Sequence, residues 1–328
     1  MPAQPWLSVI SPIFNGEAYL TTALDSILLQ KERENIECIA VDGESTDATL
    51  AILQSYQDRL PLRIVQRERS TNWVIKTNYA LSLAQGEYVC FLHHDDLWLK
   101  DRLQTMKRLT EQYSEAVLLL HPTYFVDHKG NRLGTWNCPL PVAPKAIKPD
   151  LMIERLLVQN FISILGPVIK REIALEVGGL DEALWYTADW DFWMKIVARG
   201  DSIYHPQPLS GFRVHPSSQT IVRSSASQEF RAQLETVAIK HFNQWQAPES
   251  IKQRLKKVIR FSMEVNIALA GVSHGQKTNV LALLFSFFAL GPAGGYRYLR
   301  DSRIMERVLA RMRTQIRPRK KINDRQSG

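Results

Sequence analysis

The sequence predicts an α/β fold: a doubly wound, mostly parallel sheet followed by a C-terminal helical region. Three observations lead there. Short apolar, β-rich runs alternate with helical periodicity from Leu7 to Leu120, and such alternation builds parallel sheets because each helix carries the chain back across the sheet. Between His121 and Asp150 the pattern breaks at Pro122, Pro139, Pro141, Pro144 and Pro149, with Gly130 and Gly134, which marks loops or edge hairpins. Helical and short extended segments resume over 151–215, and past about Ser224 the chain reads as helix alone. The expected division is therefore one domain over 1–223 and a helical, basic region over 224–328.

The elements follow in order. Leu7–Phe14 (LSVISPIF) is the first strand, and Glu17–Gln30 is a helix with Ala18, Leu20, Leu24, Ile27 and Leu28 on one face. Ile36–Val41 (IECIAV) is the second strand. Ser45 or Thr46 is expected to cap a helix running to about Tyr56, with Asp47 near its positive end. Leu62–Gln66 reads as the third strand, Val74–Ala84 as a helix and Glu87–Leu92 as the fourth strand. Asp101–Tyr113 is a helix and Ala116–Leu120 the fifth strand.

Composition narrows the classes. With 328 residues, 45% hydrophobic and 23% charged, the chain can bury a substantial core and is neither disordered nor collagen-like. Cys38, Cys90 and Cys138 are too scattered for a disulfide framework or a zinc cluster, which suits a reducing compartment. The opening Met-Pro-Ala-Gln-Pro-Trp lacks the basic and apolar segments of a signal peptide, and the longest apolar stretch, Val280–Leu290, falls short of the roughly 18 residues of a spanning helix. A cytoplasmic protein is the expectation. Of 41 basic and 33 acidic residues, 251–328 hold 17 and 4, leaving 24 and 29 in the first 250. The basic character belongs to a tail, and such a tail suits an acidic surface, anionic lipid or nucleic acid.

In an open α/β sheet, ligands bind beyond the carboxyl ends of the strands. Three polar clusters stand there: Pro12-Ile13-Phe14-Asn15-Gly16, Asp42-Gly43-Glu44-Ser45-Thr46-Asp47 and His93-His94-Asp95-Asp96. Each alone is ordinary turn chemistry. Carboxylates ending two strands that the fold brings to one edge point instead to a site. Asp95 and Asp96 are the sharpest feature, because adjacent carboxylates repel, and Mg²⁺ or Mn²⁺ with a diphosphate ligand relieves the repulsion. His93 and His94 are further donors, but HHDD matches no zinc spacing, and the reading rests the metal on the carboxylates.

SVISPIFNGEAYLTTALDSILLQ, ECIAVDGESTDAT and AQGEYVCFLHHDD resemble, in order, the signature blocks of the family 2 glycosyltransferases. VGGLDEALWYTADWDFWMKIVARG resembles that family's acceptor-side block and GFRVHPSSQT the arginine/histidine loop after it, so the resemblance covers about residues 7–220. It implies a GT-A fold, a nucleotide-diphosphate sugar donor, a divalent metal (Mn²⁺ or Mg²⁺) and inversion at the anomeric carbon. Matched residue by residue, it implies that Pro12, Phe14, Asn15 and Asp42 line the nucleotide pocket, with Asp42 facing the base. Asp95 is then near the ribose, Asp96 coordinates the metal, and Asp189 is the general base. His215 stands in a loop that folds over the diphosphate in some members, which makes it a candidate metal or phosphate contact. One departure bears on metal choice: His93 stands where the family's motif often begins with Asp.

The chemistry of Asp189 agrees with that assignment. Direct displacement needs a base for the acceptor hydroxyl's proton, and a carboxylate serves if it stays ionised within reach. Asp189-Trp190-Asp191 opens a predicted helix whose dipole is expected to keep a carboxylate charged; plain capping suits the same position, and Asp191 is the alternative base. Trp185, Tyr186, Trp190 and Trp193 offer stacking faces to a sugar, although aromatics at helical spacing also build cores. Gly271–Thr278 nearly imitates a phosphate-binding loop but has Gln276 before its lysine, and GxSxG, HExxH and GxGxxG do not occur.

In the tail, Val280–Leu290 (VLALLFSFFAL) is apolar nearly all round, and Gly291-Pro292-Ala293-Gly294-Gly295 breaks it. Arg297, Arg300, Arg303, Arg307, Arg311 and Arg313 then stud a helix whose broken apolar face holds Tyr298, Ile304, Met305, Val308, Leu309 and Met312. This pattern suits an interfacial membrane anchor, and an apolar hairpin packed on the first domain satisfies it as well. The reading reached is a metal-dependent, inverting glycosyltransferase with a glycan or lipid-linked acceptor. Its expected setting is bacterial surface polysaccharide or glycolipid synthesis, peripheral on the inner face of the membrane. No nucleic-acid partner is expected, because the body is acidic. The rivals are a sugar nucleotidyltransferase, which needs a Gly-rich basic loop that PIFNGE lacks, and a degenerate sugar-nucleotide-binding or scaffold protein, motivated by His93.

Overall fold

A computed structural model describes residues 4–68, 72–215, 227–273 and 276–316. The first half alternates β1 (Leu7–Ile13), α1 (Leu20–Leu28), β2 (Ile36–Asp42), α2 (Thr49–Ser55), β3 (Leu62–Gln66), α3 (Trp73–Leu83) and β4 (Tyr88–Phe91). There follow β5 (Leu97–Trp98), α4 (Arg102–Gln112), β6 (Leu118–Leu120), β7 (Thr123–Val126), β8 (Arg132–Trp136) and α5 (Pro149–Val158). The unit closes with β9 (Val168–Lys170), α6 (Arg171–Glu176), α7 (Ala188–Val197), β10 (Ser202–Tyr204) and β11 (Ser210–Arg213). Among the described residues five helices come after: α8 (Ser227–Gln244), α9 (Glu249–Ser273), α10 (Val280–Phe288), α11 (Gly291–Ser302) and α12 (Ile304–Ile316).

The main sheet has the order β10-β6-β9-β4-β1-β2-β3. It is parallel except for β9, which runs against β4 and β6. β1 is buried on both faces except at Ser11, as expected for a central strand covered by helices on each side. The chain proceeds from β1 outward to β2 and β3, then returns to place β4 on the other flank of β1, so the crevice between β1 and β4 is a topological switch point. Parallel register aligns Ile13 with Asp42 and Ile10 with Phe91. The three polar clusters therefore leave the sheet at one edge.

A second sheet, β5-β11-β7-β8, was not legible in the sequence. β5 is two residues long, too short for periodicity, and its partner β11 lies more than a hundred residues onward. The capping of α2 also differs from expectation. Asp47, not Ser45 or Thr46, serves the helix: its Oδ1 accepts from Thr49 N–H at 3.0 Å and from the Thr49 hydroxyl. Ser45 is drawn away because its hydroxyl donates to the buried Asp42.

The C-terminal helices share the main core, which runs from β1 through Leu234, Val237, Leu255 and Val258 to Tyr298. Two buried carboxylates tie them down. Asp191 of α7 is fully buried and faces Lys240 Nζ and His241 Nε2 of α8, both at 2.8 Å, and Lys195 Nζ at 3.2 Å. Asp301 of α11 is likewise buried, with Arg300 Nε at 2.6 Å and Arg155 of α5 at 3.9 Å, while Arg297 pairs with Glu154. Burial works against the Asp191 anion, but His241, Lys240 and Lys195 hold its pKa well below the usual carboxylate range. This anchoring removes Asp191 as an alternative base.

Removing one member of a buried ion cluster strands the others, so Asp191→Ala should lose about 3–5 kcal/mol in urea unfolding at neutral pH. The folded pKa is depressed, so this contribution is present above the ordinary carboxylate value and fades below about pH 4, where the gap to wild type should narrow. A loss under about 1 kcal/mol at neutral pH would show that the cluster does not hold α8 in place.

Candidate active site

The ends of β1 and β2 are laced together by side chains. Asn15 and Glu44 both adopt left-handed backbone, with φ of 48° and 55°, which lets the two turns fold against each other. Asn15 N–H donates to Ser45 Oγ at 2.8 Å and Asn15 Oδ1 accepts from Thr46 N–H at 2.9 Å. Gly16 N–H donates to Thr49 Oγ1 at 2.7 Å. Asp42 is fully buried beneath them and accepts from both Ser45 N–H, at 3.1 Å, and the Ser45 hydroxyl. Pro12 is buried at the strand end, Phe14 is half-buried, and Asn15 is exposed at the rim.

Lys76 of α3 reaches into this edge. It is buried, and Nζ donates to Ile13 C=O at 2.7 Å and lies 5.6 Å from the centre of the Phe14 ring. A Cβ at Gly43 would come within 2.7 Å of that Nζ, so the glycine makes room for the cation. Burial lowers the Lys76 pKa to about 8, with the Asp42 charge opposing the shift. Sequence reasoning missed Lys76; its signal was a lysine among the mostly apolar inward residues of VIKTNYAL.

The fourth strand delivers His93, Asp95 and Asp96, whose ligand atoms all lie within 4.8 Å of one another, and this is the one such donor group among the described residues. Asp96 is 1% exposed. Its Oδ1 accepts from Arg213 N–H at 2.8 Å, while Oδ2 is buried with no hydrogen-bond partner. Arg213 Nε donates to Asp95 C=O at 2.7 Å, and its guanidinium lies 4.6 Å over the Tyr19 ring. His215 Nε2 is 3.0 Å from Asp95 Oδ2. His215 thus enters the site as the partner of Asp95, outside the donor group; residues 216–220 of its loop lie outside the described residues. His93 Nε2 is buried without a partner, and its ring stands edge-on to Trp73 at 5.8 Å.

These environments set the charges. Burial, then the neighbouring Asp95, pushes Asp96 well above the usual carboxylate range. Burial opposes the Asp95 anion too, but the His215 bond and the imidazoles of His94 and His93 hold it well below that range. Burial lowers the His93 pKa to about 4, so the ring is a neutral donor at physiological pH. A buried carboxylate oxygen without a partner is costly unless a cation takes it. Two carboxylates and a neutral imidazole, with Asp96 Oδ2 unpartnered, form a donor set that fits Mn²⁺ or Mg²⁺. The expected group is Asp96 with His215 as a candidate; the fold instead brings His93 and Asp95 beside Asp96.

Asp189 is the second residue of α7. Its Oδ2 accepts from Asn160 Nδ2–H at 3.1 Å and its Oδ1 from Trp190 N–H at 2.7 Å. The carboxylate keeps some exposure, yet surrounding protein raises its pKa to about 6 against the opposing bonds from Trp190 and Asn160. Desolvation outweighs the helix dipole, contrary to expectation. Phe91 at the end of β4 packs on Phe192 and Trp193 at 6.3 and 6.1 Å, and Trp73 Nε1–H donates to Trp185 C=O at 3.0 Å. Through these contacts the start of α7 shares an edge with the His93 group. Trp190 and Trp193 are core residues, whereas Trp185 and Tyr186 remain half-exposed. Nothing in the sequence pattern marked Asn160.

Asp96→Ala should leave the fold intact and weaken Mn²⁺ binding, measured by calorimetry with the metal alone, by at least about tenfold. Unchanged affinity would remove Asp96 from the donor set.

Residues 8–161 match the family model described as Glycosyl transferase family 2. An uncharacterized glycosyltransferase of Rickettsia typhi is 27% identical over 237 residues, 70% of this chain and 70% of its own. An uncharacterized protein of Mycobacterium tuberculosis is 27% identical over 212 residues, and the match spans 64% of this chain and only 59% of that protein. Residues 1–349 of TarS from S. aureus, solved in complex with UDP-GlcNAc, superpose with a TM-score of 0.66 at 19% identity, over 94% of this chain and 91% of that one. The mannosyltransferase PcManGT from Pyrobaculum calidifontis, solved with GDP-Man and Mn²⁺, gives a TM-score of 0.55 at 18% identity, over 96% and 88%. The fold is that of these GT-A proteins, and residues 8–161 are similar to glycosyl transferase family 2.

Proposed function

We propose that the protein transfers a sugar from a nucleotide-diphosphate donor to an acceptor hydroxyl, with inversion and in a metal-dependent reaction. The observation that carries this reading is the buried, unpartnered Asp96 Oδ2 beside Asp95 and His93 at the β1/β4 switch point. Pro12, Phe14, Asn15 and Asp42 line the nucleotide side, Asp42 toward the base and Asp95 toward the ribose. His93, Asp95 and Asp96 hold Mn²⁺ or Mg²⁺, which when bound neutralises the diphosphate and eases its departure. His215, already bonded to Asp95, is the nearest candidate for a phosphate contact. UDP- and GDP-sugars are the donors to try first, since TarS was solved with UDP-GlcNAc and PcManGT with GDP-Man.

Asp189 performs the proton transfer. The acceptor oxygen attacks the anomeric carbon opposite the diphosphate; its proton passes to Asp189, and the bond from carbon to the diphosphate oxygen breaks with its electron pair leaving on the phosphate. Attack from the opposite face inverts the centre. Asn160 fixes one carboxylate oxygen of Asp189, and a pKa of about 6 leaves the base ionised at neutral pH while strengthening it as a proton acceptor. The acceptor is a glycan or a lipid-linked glycan, and the setting is bacterial surface polysaccharide or glycolipid synthesis at the inner face of the membrane.

Two measurements test this. A panel of nucleotide sugars, each with and without Mn²⁺, should contain one that stabilises the protein by about 2.7 kcal/mol at 100 times its Kd, and only with metal. A panel with no metal-dependent member would contradict the donor assignment. Asp189→Asn should lower kcat by about 10²–10⁴-fold with donor Kd unchanged. In wild type kcat should rise with pH through about 6, as the base ionises, and the variant should lack that limb. Near-wild-type turnover in Asp189→Asn would remove it as the base, and donor binding without transfer to any acceptor would favour a binding protein.

A further inference from the structure

We infer that α10 and its corner with α11 form a wedge that docks on an anionic lipid bilayer. The inference deepens the proposed membrane setting and rests on it only for why the site should face lipid; the surface itself is read from its own side chains. Residues 279–296 contain no charged residue. α10 buries none of its residues, and Phe285 is 75% exposed, Phe288 73%, Leu281 68% and Val280 61%. Leu284, Tyr296 and Leu299 extend the exposed apolar surface along the helix and into α11. A patch of this kind is more than scattered surface hydrophobes require.

The wedge is a fixed part of the molecule. Asn279 Oδ1 accepts from Ala282 N–H at 3.0 Å and starts α10. Phe287 faces inward, with its ring 5.7 Å from Phe261 of α9 and 6.4 Å from Tyr298 of α11. Gly291, at φ +69°, turns the chain into α11, which the buried Asp301 group and the Arg297–Glu154 pair bind to α5. Among the described residues no single helix is long and apolar enough to cross a membrane, and α10 and α11, which together have the length and composition, are bent by 116°. The geometry therefore suits a helix lying in the interface rather than one spanning it.

The surroundings select the occupant. Phe261 and Val258 of α9 contact Phe287 and the Gly294 position, and the exposed Lys257 flanks that face of α9. Lys277 precedes the wedge and Arg303 follows α11, both exposed. An apolar centre with a cationic rim matches acidic headgroups over acyl chains. A second copy of the chain, docking face to face, would bring like charges together.

The test is flotation of the full chain with vesicles of phosphatidylcholine alone or mixed with phosphatidylserine. Wild type should float with the anionic vesicles, less so as salt rises and far less with neutral ones. Phe285→Ser with Phe288→Ser should cut vesicle affinity at least tenfold while calorimetric Mn²⁺ binding, which reads the distant site, is unchanged. Lys257→Glu with Lys277→Glu, which leaves the apolar face intact, should weaken the preference for anionic vesicles. Wild type that fails to float, or floats equally in both variants, would overturn the inference. So would a wild-type dimer in sedimentation that the double serine variant converts to monomer without any vesicle binding. Intact flotation in a protein that binds no donor would instead count against the proposed function alone.

Discussion

The hydrogen bond from Arg213 N–H to Asp96 Oδ1 fixes the turn that carries the chain from β4 of the main sheet to β5 of the smaller one, and the arrangement of the site depends on it. Asp96 leaves the main sheet after β4, and Arg213 ends β11 in the smaller sheet. Because that bond satisfies one carboxylate oxygen, the other is left pointing into a buried space with no donor. Protein interiors rarely tolerate such an oxygen without a compensating cation. The same arginine bonds Asp95 C=O and stands over Tyr19, so one residue braces both acidic positions. The second sheet thus earns its place by holding a repulsive pair of carboxylates in register.

Two carboxylates two residues apart on α7 show how environment, not identity, sets their roles. Asp191 turns inward and meets Lys195, Lys240 and His241, which keep it ionised and immobile. Asp189 turns toward the edge of the sheet, accepts hydrogen bonds from the neutral Asn160 and Trp190, and has its pKa raised to about 6 because burial outweighs those bonds and the Arg307 charge. A carboxylate surrounded by cations is a poor proton acceptor, while one desolvated among neutral donors is a better one. The sequence motif Asp-Trp-Asp could not separate them, since the partners of Asp191 lie some fifty residues downstream in α8.

What could be read from the sequence was what local pattern encodes. Alternating strands and helices, and the turn residues after β1, β2 and β4, led to the parallel sheet and to the edge where the polar clusters gather. What escaped depends on long-range pairing. β5 and β9 are too short for periodicity, and the central β9 runs antiparallel in a sheet otherwise assembled from β-α-β steps. Lys76 looked like one polar residue of a helix, and its burial follows only from the gap that Gly43 leaves. His93 read as a departure from an acidic motif, whereas its ring nitrogen lies with the two carboxylates because the strand end curls. In the tail, the sequence allowed either an apolar hairpin packed on the body or an exposed interfacial segment. In the fold α11 is packed through Asp301 and α10 faces outward.

The central claim is that Asp96 Oδ2 is a metal ligand at a diphosphate site, and crystallography tests it most directly. Crystals grown with Mn²⁺ and UDP or GDP should show one anomalous peak within about 2.5 Å of Asp96 Oδ2, with diphosphate oxygens completing its coordination. An ion bound away from Asp96, or a diphosphate seated elsewhere than the β1/β4 edge, would contradict the account.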